Sequence, residues 1–144
     1  MPLIYVNHPT DTFAAADRDA LAEDLTRIGL ECEQLQPTPF VRSTNWIFFR
    51  EYPTSHVYHG GRAGGRQVIA LEVNAFLGGL DEQAKKRLFK RFTDAIRLHA
   101  KIPDDALAPV YVVVRDVPET DWGVFGSTIT LGDLRNPDPR AEPF

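Results

Sequence analysis

Residues 67–117 read QVIALEVNAFLGGLDEQAKKRLFKRFTDAIRLHAKIPDDALAPVYVVVRDV, and the periodicities inside this stretch decide the fold. QVIALEVNAF is an apolar run of strand length rich in β-branched residues, and LGGL after it is a turn. From Asp81 the period becomes helical. Leu88, Phe92, Ala95 and His99 line one face, Phe89 and Ile96 lie beside them, and Asp81 is placed to cap the first turn. PDDALAP ends that helix and VYVVVRDV is a strong second strand. Strand, long helix, strand is the plan of a βαβ unit with parallel strands and a right-handed crossover.

Working outward, the first half of the chain repeats the plan. PLIYV at residues 2–6 is a short strand, and NHPTDTF after it is a turn with Asn7, Pro9 and Asp11 as breakers. Residues 14–35 form a helix in which Leu21, Leu25, Ile28, Cys32 and Leu35 recur at steps of three and four, with Asp17 and Asp19 near its start. Residues 40–52 read as a longer strand of aromatic and β-branched residues. PTSHVYHGGRAGGRQ follows, a hairpin or open loop carrying two glycine pairs.

The expectation is one domain spanning residues 1–144, of mixed α/β class: two βαβ units, about 1–65 and 66–126, forming a four-stranded, mainly parallel sheet with two helices on one face. The other face stays apolar unless covered, and in a chain of 144 residues the available cover is another subunit. An oligomer follows. The tail, residues 127–144, supplies one short strand at most and packs across a neighbour or frays.

Composition excludes several partners. A net charge of −4 gives no basic footprint for nucleic acid, and no cluster of lysine and arginine is dense enough for a membrane surface. No apolar stretch approaches the roughly 18 residues of a membrane span, and the start lacks the basic and apolar regions of a signal peptide. The single cysteine, Cys32, falls inside a helical pattern and reads as a small core residue. The cytoplasm is the expected location. His56 and His59 have no third ligand nearby and point to opposite faces of an extended chain, so no metal is expected. GGRAGGR lacks the Lys-Ser/Thr ending and following helix of a phosphate-binding loop. No cofactor is implied, and His8 and His99 read as structural.

LDEQAKKRLFKRFTDAIRLHAKIPDDALAPVYVVVRDVPETDWGVFG, residues 80–126, resembles the repeating unit of the tautomerase superfamily. DEQ opens the helix, and the strand ends in an acidic residue before the DWGVFG turn. MPLIYV carries the matching proline, and the two units in tandem resemble the fused group that includes cis-3-chloroacrylate dehalogenase and malonate semialdehyde decarboxylase. The resemblance implies a homotrimer in which Pro2, freed of Met1, is the catalyst. An α-amino group titrates at about 7.7–8.0, and burial or nearby cations lower that value, which would make the amine a base near neutrality. Such an amine moves protons on a small oxo-acid or unsaturated carboxylic acid, as in keto/enol tautomerisation.

Beyond Pro2 the resemblance carries few residues. The arginine that binds a substrate carboxylate after the strand of each unit is replaced by Gly78 and Gly79 in the second unit and by Thr10 to Thr12 in the first. Asn74, Ala75 and Phe76 stand where the dehalogenases have two arginines. Their helix-borne histidine falls near Ile28 or Gly29, their glutamate near Val124, and the decarboxylase aspartate near Thr38. Tyr111, Val113 and Arg115 share one strand face, and Tyr111 occupies the position of a substrate-binding arginine. Trp122 matches the aromatic wall of the pocket, with Phe125 beside it. Arg42, Arg62 and Arg66 are candidates to replace the missing anchor. Hydratase or dehalogenase chemistry, or a member without catalysis, are the alternative readings.

Overall fold

Alternation of apolar residues in the two central strands builds the sheet, and the helical stripes cover one side of it. The computed structural model describes residues 2–64 and 67–144. In chain order the elements are β1 (Leu3–Pro9), α1 (Ala15–Cys32), α2 (Pro39–Ser43), β2 (Trp46–Tyr52), β3 (Tyr58–His59), β4 (Arg62–Ala63), β5 (Ile69–Phe76), α3 (Glu82–His99), β6 (Val110–Val117), β7 (Gly123–Val124), β8 (Ser127–Thr128) and α4 (Leu131–Arg135). The main sheet has the order β2-β1-β5-β6. Each βαβ unit contributes one parallel pair, β1 with β2 and β5 with β6, and the units meet along an antiparallel seam between β1 and β5. The sheet is therefore mainly parallel, as its two-unit plan requires.

Ile4, Val6, Leu71 and Val73 face the helices, where Leu21, Leu25 and Ile28 of α1 and Leu88, Phe92 and Ile96 of α3 complete the main core. Each such side chain contributes about 1.5–3 kcal/mol on burial. The Asp81 carboxylate accepts from the Ala84 N–H at 2.6 Å, which is the cap the sequence predicts. Ala14 gives α1 no side-chain cap, so that helix depends on its buried face and on ties to α3. His99 Nε2 lies 2.8 Å from Asp24 Oδ2, and Arg91 bonds Glu31. The His99 hydrogen bond, followed by Arg27, holds the Asp24 carboxyl below the usual aspartate value.

Three sequence expectations are corrected. β1 runs on through Asn7, His8 and Pro9 instead of turning after Val6. Alternation persists there: His8 is wholly buried against Phe13 and Phe49, while Asn7 Nδ2 donates to the Ala70 carbonyl at 3.1 Å. Residues 40–45 do not begin a strand. Thr38 caps α2 by accepting from the Val41 N–H at 3.2 Å, Pro39 opens the helix, and β2 starts only at Trp46. The tail folds beyond the short β8 into α4, with a reciprocal cap between Thr130 and Asp133, and Leu131 and Leu134 bury against the chain's own body.

The helix-free face carries three rows of side chains in register. Trp46, Leu3, Asn74 and Arg115 form one, Phe48, Tyr5, Glu72 and Val113 the next, and Arg50, Asn7, Ala70 and Tyr111 the third. Phe48 is 44% exposed, Val113 38% and Tyr111 67%, so this face is open and carries aromatic and apolar groups beside the polar Asn7, Arg50, Glu72, Asn74 and Arg115. Tyr5 stacks on Phe48, and the Arg50 guanidinium lies 3.8 Å over the Tyr5 ring. Each unit ends in a small hairpin, β3–β4 and β7–β8. Both turn through two residues of positive φ, Gly60 and Gly61 in the first and Phe125 and Gly126 in the second, as two-residue hairpin loops require.

Candidate active site at the start of the first strand

The antiparallel seam brings the beginnings of β1 and β2 to the same end of the sheet as the endings of β5 and β6. At that end lies a cavity of about 450 Å³, walled by Leu3, Trp46, Asn74, Val117, Trp122 and Phe125, with Thr44, Asp121 and Phe144 at its margins. Pro2 immediately precedes β1 here and is buried. Its ring packs on α1 where Gly29 has no side chain: a Cβ on Gly29 would stand 3.1 Å from Pro2 Cγ. Asn74 Nδ2 donates to the Leu3 carbonyl at 3.3 Å and ties the residue after the proline to β5.

Two of the residues singled out in the sequence converge here. Trp122 is buried against Phe76, with ring centroids 4.9 Å apart, and anchors the β7–β8 hairpin over the sheet end. Phe125 is 69% exposed and lies 5.8 Å from the Trp46 ring and 4.9 Å from the Phe144 ring. Its φ of 48° is costly for a bulky side chain, and the hairpin holds it in that state at the cavity mouth. An aromatic wall is thus present.

The charged candidates are placed differently. Arg115 shares the Trp46–Leu3–Asn74 row but stands two strands from β1, about 10 Å at ordinary strand spacing. Its guanidinium bonds Glu72 at 2.8 Å, and that bond, with one from Asn7, holds the Glu72 carboxyl below the usual range. Arg42 is not on a strand: it lies on α2 and pairs with Glu23 of α1 at 2.7 Å. Tyr111 sits in the row farthest from Pro2, so one chain does not bring the two together. Arg62 is exposed on β4, and Arg66 lies outside the described residues. Among the described residues lining the cavity the one charged group is Asp121. Among the described residues no group of three His, Cys, Asp or Glu is placed to hold a metal.

Sequence reasoning passed over Trp46, Phe144 and Glu33. Glu33 is the C-cap of α1, 1% exposed, with Oε1 3.0 Å from where a Cβ on Gly79 would stand. No spacing rule marks a helix-ending glutamate as buried. Trp46 was legible only as a strand residue, and its place in the cavity wall follows from its register with Leu3.

A sheet of two βαβ units with a buried proline before its first strand and an aromatic hairpin over that end defines a class of fold, and part of the chain matches a known family. Residues 70–131 match the tautomerase family, described as tautomerase enzyme. No curated protein sequence matches the chain. Among solved structures, a fused 4-OT that forms an asymmetric trimer is 21% identical with a TM-score of 0.72, over 88% of this chain and 94% of that one. A fused 4-OT symmetric trimer is 20% identical with a TM-score of 0.71, over 90% and 96%. A member of the cis-3-chloroacrylic acid dehalogenase family is 16% identical with a TM-score of 0.71, over 88% and 82%. The chain has the fused, two-unit tautomerase fold. Residues 70–131, most of its second unit, match a tautomerase unit by sequence as well.

Proposed function

We propose that the protein is a tautomerase in which Pro2, after removal of Met1, is the general acid/base for keto/enol interconversion of a small oxo-acid or unsaturated carboxylic acid. The observation that supports this most directly is the burial of Pro2 at the end of the sheet where the aromatic cavity opens. A ring fixed by β1 on one side and by Gly29 on the other holds its nitrogen in a constant orientation, which is what efficient proton transfer to carbon needs. Trp46, Trp122 and Phe125 offer apolar surface to the carbon skeleton of a substrate.

The carboxylate anchor is proposed to come from a neighbouring protomer in a homotrimer. The open sheet face and the trimeric fused 4-OT structures support that arrangement. A cation on the β6 edge of one protomer, such as Arg115, would then meet Pro2 of another. Intact mass and a rate measurement test the reading together. Loss of Met1 and ketonisation of phenylenolpyruvate that falls by about 10²-fold or more in Pro2→Ala are the expected results. A retained methionine, or a rate unchanged in Pro2→Ala, refutes it. A second reading, binding or assembly without catalysis, is supported by the single charged group lining the cavity being an aspartate, and that second result would favour it.

A further inference from the structure

One turn of 3-10 helix, Glu119–Asp121, joins β6 to the β7–β8 hairpin, and the first unit has its counterpart in Thr54–His56 between β2 and β3. A proline precedes each turn, and the backbone bonds agree. The Asp121 N–H donates to the Pro118 carbonyl at 2.9 Å and the Trp122 N–H to that of Glu119 at 3.2 Å; the His56 N–H donates to Pro53 at 2.9 Å and the Val57 N–H to Thr54 at 3.2 Å. The same turn thus forms with a histidine in its third place, and its backbone has no need of a carboxylate there. The Asp121 side chain does little else for the fold: among the described residues it accepts from Thr120 Oγ1 at 3.2 Å and makes no ion pair. Glu119, two residues earlier, is used differently, since its Oε1 accepts from the Leu131 N–H at 2.7 Å and ties the turn to α4.

What Asp121 does have is a place on the cavity wall, where it is the one charged group among the described lining residues, in company with Trp46, Trp122, Phe125 and Phe144. We infer that Asp121 is a specificity-determining residue: it makes the cavity take aromatic oxo-acids whose far end is cationic or neutral, and turn away those that carry a second carboxylate. This deepens the proposed function and rests on it for the reaction, though not for binding. A rounded cavity of about 450 Å³ is about 10 Å across, close to the screening length in physiological salt, so a charge on a ligand inside it feels the aspartate. Asp121 is exposed, and at about 5 Å in watery surroundings two unit charges interact by enough to change an affinity about fivefold. The rings act in the same direction, because the face of Trp or Phe attracts a cation and not an anion. Arg115, in the same row as Trp46, is held by Glu72 and is not among the residues lining the cavity. The carboxylate at the reacting end meets the cation proposed to come from a neighbouring protomer, which leaves the far end for Asp121 to sort.

The test is a charge series read by binding. Trp46 and Trp122 are the two tryptophans of the chain and both wall the cavity, so their indole N–H signals report occupancy by heteronuclear NMR. The full chain is titrated at neutral pH with phenylpyruvate, 4-carboxyphenylpyruvate and 4-(trimethylammonio)phenylpyruvate. The carboxy compound is expected to bind about fivefold more weakly than phenylpyruvate and the trimethylammonio compound about fivefold more tightly, with the spread shrinking in about 0.5 M salt. Asp121→Asn brings the carboxy compound to within about twofold of phenylpyruvate, while Asp121→Glu keeps the wild-type order. Equal affinities across the series in the wild-type protein overturn the inference without need of a variant, as does a penalty for the second carboxylate that persists undiminished in folded Asp121→Asn. Indole signals that none of the three compounds moves overturn it as well. Retained Met1, or a ketonisation rate unchanged in Pro2→Ala, instead defeats the proposed reaction and leaves the binding series to be decided by these affinities.

Discussion

Gly29→Ala separates what the helix prefers from what the proline needs. In the middle of a helix, replacing glycine by alanine is favourable by about 1 kcal/mol on propensity alone. Here the new Cβ meets Pro2 Cγ at 3.1 Å, whereas carbon atoms rest at about 3.5–4.0 Å, so the proline ring must retreat by a few tenths of an ångström. Pro2 precedes β1 and has only its own ring and one peptide to move, while Gly29 is fixed within α1. The helix keeps its place and the ring gives way. Overall stability is expected to stay within about 1 kcal/mol of wild type, because the propensity gain offsets the lost contact. Catalysis should not escape so lightly: since a displacement of about 1 Å can cost 10²-fold, a few tenths should cost roughly threefold to tenfold in kcat/KM. Ketonisation of phenylenolpyruvate, measured beside a urea melt of the same preparation, reads both quantities. A variant that is as stable as wild type and equally active would refute the claim that the Gly29 contact sets the position of the reacting nitrogen.

Other expectations concern the frame. Phe92→Ala removes a fully buried ring between α3 and the sheet and should cost about 3–5 kcal/mol in urea denaturation. Asp24→Asn weakens the bond to His99. Because the folded state holds the Asp24 carboxyl below its ordinary value of 3.8, its contribution is complete above that pH and is lost as pH falls through the lower, folded value. The variant should therefore be less stable by about 1 kcal/mol at pH 7, and the gap to wild type should close below pH 3.8. Equal stabilities at pH 7 would show that the bond contributes nothing. Phe48→Glu places a charge in the middle row of the open face, and by light scattering it should convert the proposed trimer to smaller species. A variant that stays trimeric would move the interface elsewhere.

The elements were legible where the signal is local. The helical stripe of Leu88, Phe92 and Ile96 and the cap at Asp81 lie within one segment, and the structure returns both. The shorter elements carried signals too: Thr38 before Pro39 marks the start of α2, and Thr130 with Asp133 three residues on marks α4. In residues 40–52 the density of aromatic residues outweighed the first of these. β1 outran its predicted end because a buried histidine and a proline can finish a strand when their side chains continue its alternation.

The sequence by itself determined two βαβ units, the apolar stripes that join them and a proline at the head of the first strand, because periodicity and capping depend on neighbours within a few residues. Only the tertiary structure decided which chemistry-bearing groups meet. The antiparallel register of β1 with β5 aligns Trp46, Leu3, Asn74 and Arg115 in one row and sends Tyr111 to the far end. The seating of the Pro2 ring on Gly29, next to Leu3 of the cavity wall, likewise joins residues far apart in the chain. Such contacts are set by the packing of one element on another, a condition that no stretch of sequence carries alone.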